Sequence, residues 1–196
     1  MRVPISRTAT VALVCTGAVT LSIAGAFARD HPRTVAAVGG AAFKPNKSFT
    51  IDFRWERGKI SVRSGDTVTW VNRVDQIVAE PHTITIADKD ALPETIEELF
   101  ACGGPGTACE PASGHVDDQF NPIPGKEVLN AGPPGLNQKG DSLLLAAPEA
   151  GRPTPTISAT VSAPPGAKLV YLCAIHPWMQ GEIDVKRNRG RDDDDD

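Results

Sequence analysis

Within the seven residues from Cys173 to Met179 the chain carries a thiol, an imidazole and a thioether, at Cys-x2-His-x2-Met spacing. Leu169, Tyr171 and Cys173 share one face of an alternating run, so a strand should deliver the sulfur toward the interior, with His176 and Met179 in the loop that follows. Pro177 fixes its own φ and biases His176 toward extended backbone, which stiffens the loop that must present the donors. A fourth donor has to come from elsewhere. Of the four histidines, His82 is the best placed, because Pro81-His82-Thr83 opens a strand after a loop, whereas His31 lies near the N-terminus and His115 in an irregular segment. Two imidazoles and a thiolate with a distant thioether form the donor set that copper uses for electron transfer. Zinc normally takes four firm nitrogen, sulfur or oxygen donors and has little use for a methionine. Copper's two oxidation states prefer different geometries, so the protein's contribution would be rigidity.

Cysteine and methionine usage supports the same assignment. Cys102 and Cys109 bracket the hexapeptide Gly103 to Ala108, flexible enough to close a disulfide in an oxidising compartment, and Cys15 lies in the leading segment. Cys173 is then the thiol left over, and Met179 is the only methionine besides Met1. An enzyme reading would make Cys173 a nucleophile activated by His82 or His176. That reading leaves Met179 unexplained and has no evident Asn or Asp to orient the base. No His-Cys-His run and no second cysteine for a dinuclear centre is present. The stronger rival is a carrier or buffer that hands the copper ion itself to a partner; it would favour exposed, Met-rich ligands, whereas one methionine in a Pro-stiffened loop favours retention.

The elements that must position these residues read as short strands. Phe49, Ile51, Phe53 and Trp55 alternate with polar residues; Ile60 and Val62 lead to the turn Ser64-Gly65-Asp66, after which Val68 and Trp70 resume; Ile84 and Ile86 follow His82. Ile157, Ala159 and Val161 precede Pro164-Pro165-Gly166, and Ile183 and Val185 make a last strand. The pattern predicts an all-β antiparallel sandwich. Residues 101–160 differ, holding nine Gly and nine Pro, about half of each in the chain, so long regular structure is excluded there. One short helix is expected just before, from Pro93-Glu94 through Ile96, Leu99 and Phe100, and a strand at Ser142–Ala146 is a weaker expectation.

At these residues the chain resembles the cupredoxins, in particular plastocyanin- and azurin-like blue copper proteins, with a ligand loop most like the short one of the amicyanin type. The resemblance covers about 49–87 and 156–185: Lys59-Ile60-Ser61-Val62, Gly65-Asp66-Thr67-Val68-Thr69-Trp70, Pro81-His82-Thr83 and the Cys173 loop occur in the family's order. It implies a Greek-key β-sandwich, one type 1 copper on His82, Cys173, His176 and Met179, single-electron transfer to redox partner proteins, and electron exchange through a solvent-facing edge of His176. Two features depart from the family pattern. Thr83 replaces the Asn often found after the first histidine, and the Pro/Gly-rich insertion, about residues 88–152, is longer than compact members carry.

Residues 1–28 read as a signal peptide: Arg2 and Arg7, an uncharged stretch from Thr8, then Ala26-Phe27-Ala28. A retained membrane anchor is the alternative; both place the rest of the chain outside the cytoplasm, in the periplasm, at the cell surface or beyond. Loss of Arg2 and Arg7 would take the formal charge from −4 to −6. An acidic balance argues against nucleic acid or an anionic membrane as partner, and one core of ordinary size suits a monomer. Cleavage after Ala28 would begin the chain Arg29-Asp30-His31, where an amine, two amides and an imidazole could hold Cu(II) or Ni(II) in a square plane. Residues 29–47 then read as an N-terminal extension, 48–187 as the copper domain and 188–196, ending in five Asp, as a solvated tail.

Overall fold

The computed structural model describes residues 33–119, 121–132 and 135–187. The segment expected to be a signal peptide, the expected Arg29-Asp30-His31 start and the acidic tail lie outside the described residues. No described helix is long and apolar enough to cross a membrane.

In chain order, β1 (Arg33–Val38) leads to a hairpin of β2 (Ala41–Lys44) and β3 (Ser48–Ile51), then β4 (Arg54–Glu56), β5 (Lys59–Val62), β6 (Thr67–Asn72) and β7 (His82–Ala87). The helices α1 (Ile96–Ala101) and α2 (Ala112–His115) follow, then β8 (Val128–Leu129), β9 (Ser142–Leu145), β10 (Thr156–Thr160), β11 (Lys168–Leu172) and β12 (Gln180–Val185). Two sheets form the body, in the orders β10-β6-β1-β4 and β5-β12-β11-β7-β9-β8, while β2 and β3 pair only with each other. Val35, Val68 and Trp70 of the first sheet and Ile84, Tyr171 and Ile183 of the second belong to one buried core, and Trp70 meets Tyr171 edge to face at 6.1 Å. This is the β-sandwich the alternating pattern calls for.

The sheets are mixed rather than antiparallel throughout: β1 runs parallel to β6, and β12 parallel to β5. The chain steps between sheets at β4 to β5, β5 to β6 and β6 to β7, and such crossings allow parallel neighbours. β1 itself lies in residues expected to be an extension. Its Val35-Ala36-Ala37 run is buried, so it lacks the apolar-polar alternation that marks a half-buried strand.

The expected single strand over Phe49–Trp55 is also divided. Asp52 accepts a hydrogen bond from the Gly40 N–H at 2.7 Å, and the chain bends there. Phe49 is left in the exposed β3 and only Phe53 and Trp55 enter the core.

The insertion carries more regular structure than its composition suggests. α1 is capped reciprocally by Thr95 and Glu98, as a capping box, and a second helical turn, α2, ends at His115. The insertion's β9 pairs with β7, placing Leu145 opposite His82 and Ser142 opposite Thr85. The insertion therefore covers the edge of the strand that bears His82, which removes an exposed edge.

Candidate metal centre

β7 and β11 pair antiparallel, and this registers the two distant parts of the site: Leu172 sits opposite Thr85, so Cys173 emerges beside the start of β7. Cys173 Sγ lies 3.7 Å from Nδ1 of His82 and 3.7 Å from Nδ1 of His176, and the two Nδ1 atoms are 3.2 Å apart. All three side chains are buried. Met179 is 1% exposed and packs in the same core cluster as Cys173. The structure thus brings His82, from a distant strand, together with Cys173 and His176 and buries Met179 in the same core.

Three lone-pair-bearing atoms at these separations suit a metal ion. The point equidistant from them lies about 2.1 Å from each by the geometry of the triangle, within the span of roughly 2.0 to 2.3 Å for metal–nitrogen and metal–sulfur bonds. Among the described residues it is the one group of three or more His, Cys, Asp or Glu side chains so placed. Burial and the neighbouring His176 push His82 down from 6.5 to about 3, so its imidazole is neutral and its lone pair is available. Burial also lowers His176, against the opposing pull of Glu80. The Cys173 thiol is pushed up by burial, while amides of Thr83, His176 and Ile175 hold it down. A cation at the centre would favour the thiolate directly.

The ligand loop is clamped at several points. The Met179 N–H donates to the His176 carbonyl at 2.9 Å, closing the turn around Pro177, and the Cys173 N–H donates to the Met179 carbonyl at 2.9 Å. Two indoles pin it: Trp55 Nε1, from outside the loop, donates to the Met179 carbonyl at 3.1 Å, and the loop's own Trp178 Nε1 donates to the Phe53 carbonyl at 3.0 Å. Phe53 stands edge-on to both histidine rings, at 5.2 and 5.0 Å. Thr83 works on both sides of the sulfur: its N–H donates to Cys173 Sγ at 3.3 Å, and its hydroxyl oxygen accepts the Ala174 N–H at 2.6 Å. A threonine thus ties the strand to the loop at the position where the resemblance implies an asparagine.

One expectation is overturned. The edge of His176 was expected to face solvent, yet this residue is only 5% exposed, and its Nε2 lies 2.7 Å from Glu80 Oε2. A carboxylate can only accept, so Nε2 carries the proton and Nδ1 keeps its lone pair toward Cys173. Glu80 carries no signal in the sequence, because its partner His176 lies 96 residues away. The two histidines differ here, since the buried Nε2 of His82 has no hydrogen-bond partner among the described residues. The expected Cys102–Cys109 disulfide is formed, and it packs with Leu172 and Ala174, the two neighbours of Cys173.

No known family model matches the chain, and neither does any curated protein. Solved structures with a similar chain path include an auracyanin from the photosynthetic bacterium Roseiflexus castenholzii, at 19% identity and TM-score 0.36, covering 79% of this chain and 95% of that one. An amicyanin mutant matches at 19% identity and TM-score 0.34, over 82% and 88% of the two chains. Plastocyanin from Dryopteris crassirhizoma matches at 19% identity and TM-score 0.35, over 78% and 99%. Similarity at this level carries no inference about activity, which rests on the residues themselves.

Proposed function

We propose that this chain is a type 1 copper protein that carries single electrons, with His82, Cys173, His176 and Met179 as the residues that would hold the ion. The observation that carries the proposal is the convergence of one cysteine sulfur and two imidazoles, all buried, at separations of 3.2 to 3.7 Å. Copper bound there would supply reversible one-electron chemistry. The protein's residues hold the donors still: the turn at Pro177, the indole of Trp55 and the Thr83 contacts resist the rearrangement that a change of oxidation state would otherwise bring. Glu80 orients the His176 ring and closes its outer edge.

Burial of every donor favours retention over delivery of the ion, because a carrier needs ligands that an acceptor protein can reach. The two uses separate in one experiment. Copper-loaded protein is bleached with a reductant and reoxidised in the presence of a competing copper chelator. Reversible colour with the metal retained supports electron transfer; loss of metal on reduction supports a carrier.

We further propose that the protein works outside the cytoplasm as a monomer and exchanges electrons with other proteins. The disulfide between Cys102 and Cys109 supports an oxidising compartment, and the acidic balance supports a protein partner rather than a nucleic acid or an anionic membrane. N-terminal sequencing of the exported protein tests cleavage after Ala28.

A further inference from the structure

A line of buried polar side chains runs from the ligand loop into the insertion. The Ala174 N–H meets Thr83 Oγ1 at 2.6 Å; Thr83 Oγ1 lies 3.0 Å from Thr85 Oγ1; Thr85 Oγ1 lies 2.7 Å from Ser142 Oγ; and Ser142 Oγ lies 2.8 Å from His115 Nε2. His115 Nδ1 closes the line on the Lys126 carbonyl at 2.5 Å. Thr83, Thr85, His115 and Ser142 are all 1% exposed or less. Polar groups in so dry a place must satisfy one another.

The ends of the line fix the direction of every hydrogen in it. The Lys126 carbonyl only accepts, so His115 Nδ1 is protonated, and burial lowers the affinity of this ring for a second proton. Nε2 is therefore an acceptor, and the Ser142 hydroxyl must donate to it. Ser142 then accepts from Thr85, and Thr85 from Thr83. At the other end, the Ala174 amide can only donate, which agrees with this direction. The Thr83 hydroxyl has Thr85 and the Cys173 sulfur both within reach, and the line commits its proton to Thr85.

We propose that His115 is a positioning residue for the metal centre: acting through Ser142 and Thr85, it turns the Thr83 hydroxyl proton away from the Cys173 sulfur. The sulfur then receives amide hydrogen bonds from Thr83 and His176 but none from the hydroxyl. Hydrogen bonds to a ligating sulfur draw charge from it and favour the reduced metal, so the insertion holds the reduction potential lower than the bare loop would give. The effect on potential rests on the copper reading of the site; the direction of the hydrogen bonds does not.

Two measurements on the full chain test it. Nitrogen-15 spectra of the reduced protein at neutral pH should show His115 protonated at Nδ1, and protonation at Nε2 would overturn the proposal. Ser142→Ala releases Thr85 to donate to Thr83 and frees the Thr83 proton for the sulfur. The midpoint potential of the copper-loaded variant should rise, and the rise should vanish in a Thr83→Val background. A potential unchanged by Ser142→Ala, or an equal rise without the Thr83 hydroxyl, would also overturn it. If the unsubstituted protein forms no blue copper site, the copper reading fails, and the His115 tautomer alone decides the direction of the line.

Discussion

The ligand loop and the insertion are opposite solutions to holding backbone in place without long regular structure. From Cys173 to Met179 the chain closes a turn on itself, is pinned by the indole of Trp55, and ties its own Trp178 indole to the Phe53 carbonyl. Around residues 88–152 the chain is held at intervals: a capping box at Thr95, a disulfide at Cys102, the buried His115 and one edge strand, β9. Immobility at the loop comes from contacts crowded into a few residues, whereas the insertion is fixed by a few widely spaced anchors, some local and some reaching other strands. Substitutions should therefore act broadly near the loop and locally in the insertion.

The largest effect is expected at Gly181, opposite Tyr171 in the β11–β12 ladder. A Cβ there would run into the buried Tyr171 ring and the Gly58 carbonyl, neither of which can move aside. Gly181→Ala should cost about 3 kcal/mol of stability, read from urea unfolding, and should disturb the copper spectrum because β12 begins next to Met179. Opening the disulfide with Cys102→Ser and Cys109→Ser should cost less, about 2 kcal/mol, because the closed loop is short. The copper spectrum should survive that change; if it did not, the insertion would be as tightly coupled to the site as the loop is.

Acid sharpens the contrast between the metal centre and the insertion, because each buries a neutral histidine whose pKa lies below the ordinary 6.5: His82, lowered to about 3, and His115. The unfolded chain binds those protons first, so their stabilising contribution is complete above about pH 6.5. It is lost as pH falls below that, for His82 down to about pH 3. The metal-free chain should lose about 1.4 kcal/mol per pH unit for each such histidine, and His115→Gln should remove one proton's share of the slope. An unchanged slope would mean that His115 is not held neutral.

How much of this was legible in the sequence follows from how local each signal is. Cys173, His176 and Met179 announce themselves because three donors lie within one turn, and His82 because a histidine opening a strand has few rivals. β1 was not legible, since a strand buried among its neighbours shows no alternation, and the break at Asp52 depends on a hydrogen bond to Gly40, twelve residues away. Glu80 and His115 stayed hidden for a related reason. Each acts through one contact formed only when separate segments meet: Glu80 with His176 across 96 residues, His115 with Ser142 across 27. The Pro/Gly content of the insertion rightly excludes long elements, but composition says nothing of which few residues anchor it.

The visible spectrum of the copper-loaded protein, recorded beside Cys173→Ser, tests the central assignment most directly. An intense blue band in the first and none in the second is expected, because the colour requires the thiolate of Cys173 bound to oxidised copper. A protein that holds oxidised copper and stays colourless, or a blue band that survives in Cys173→Ser, would contradict it.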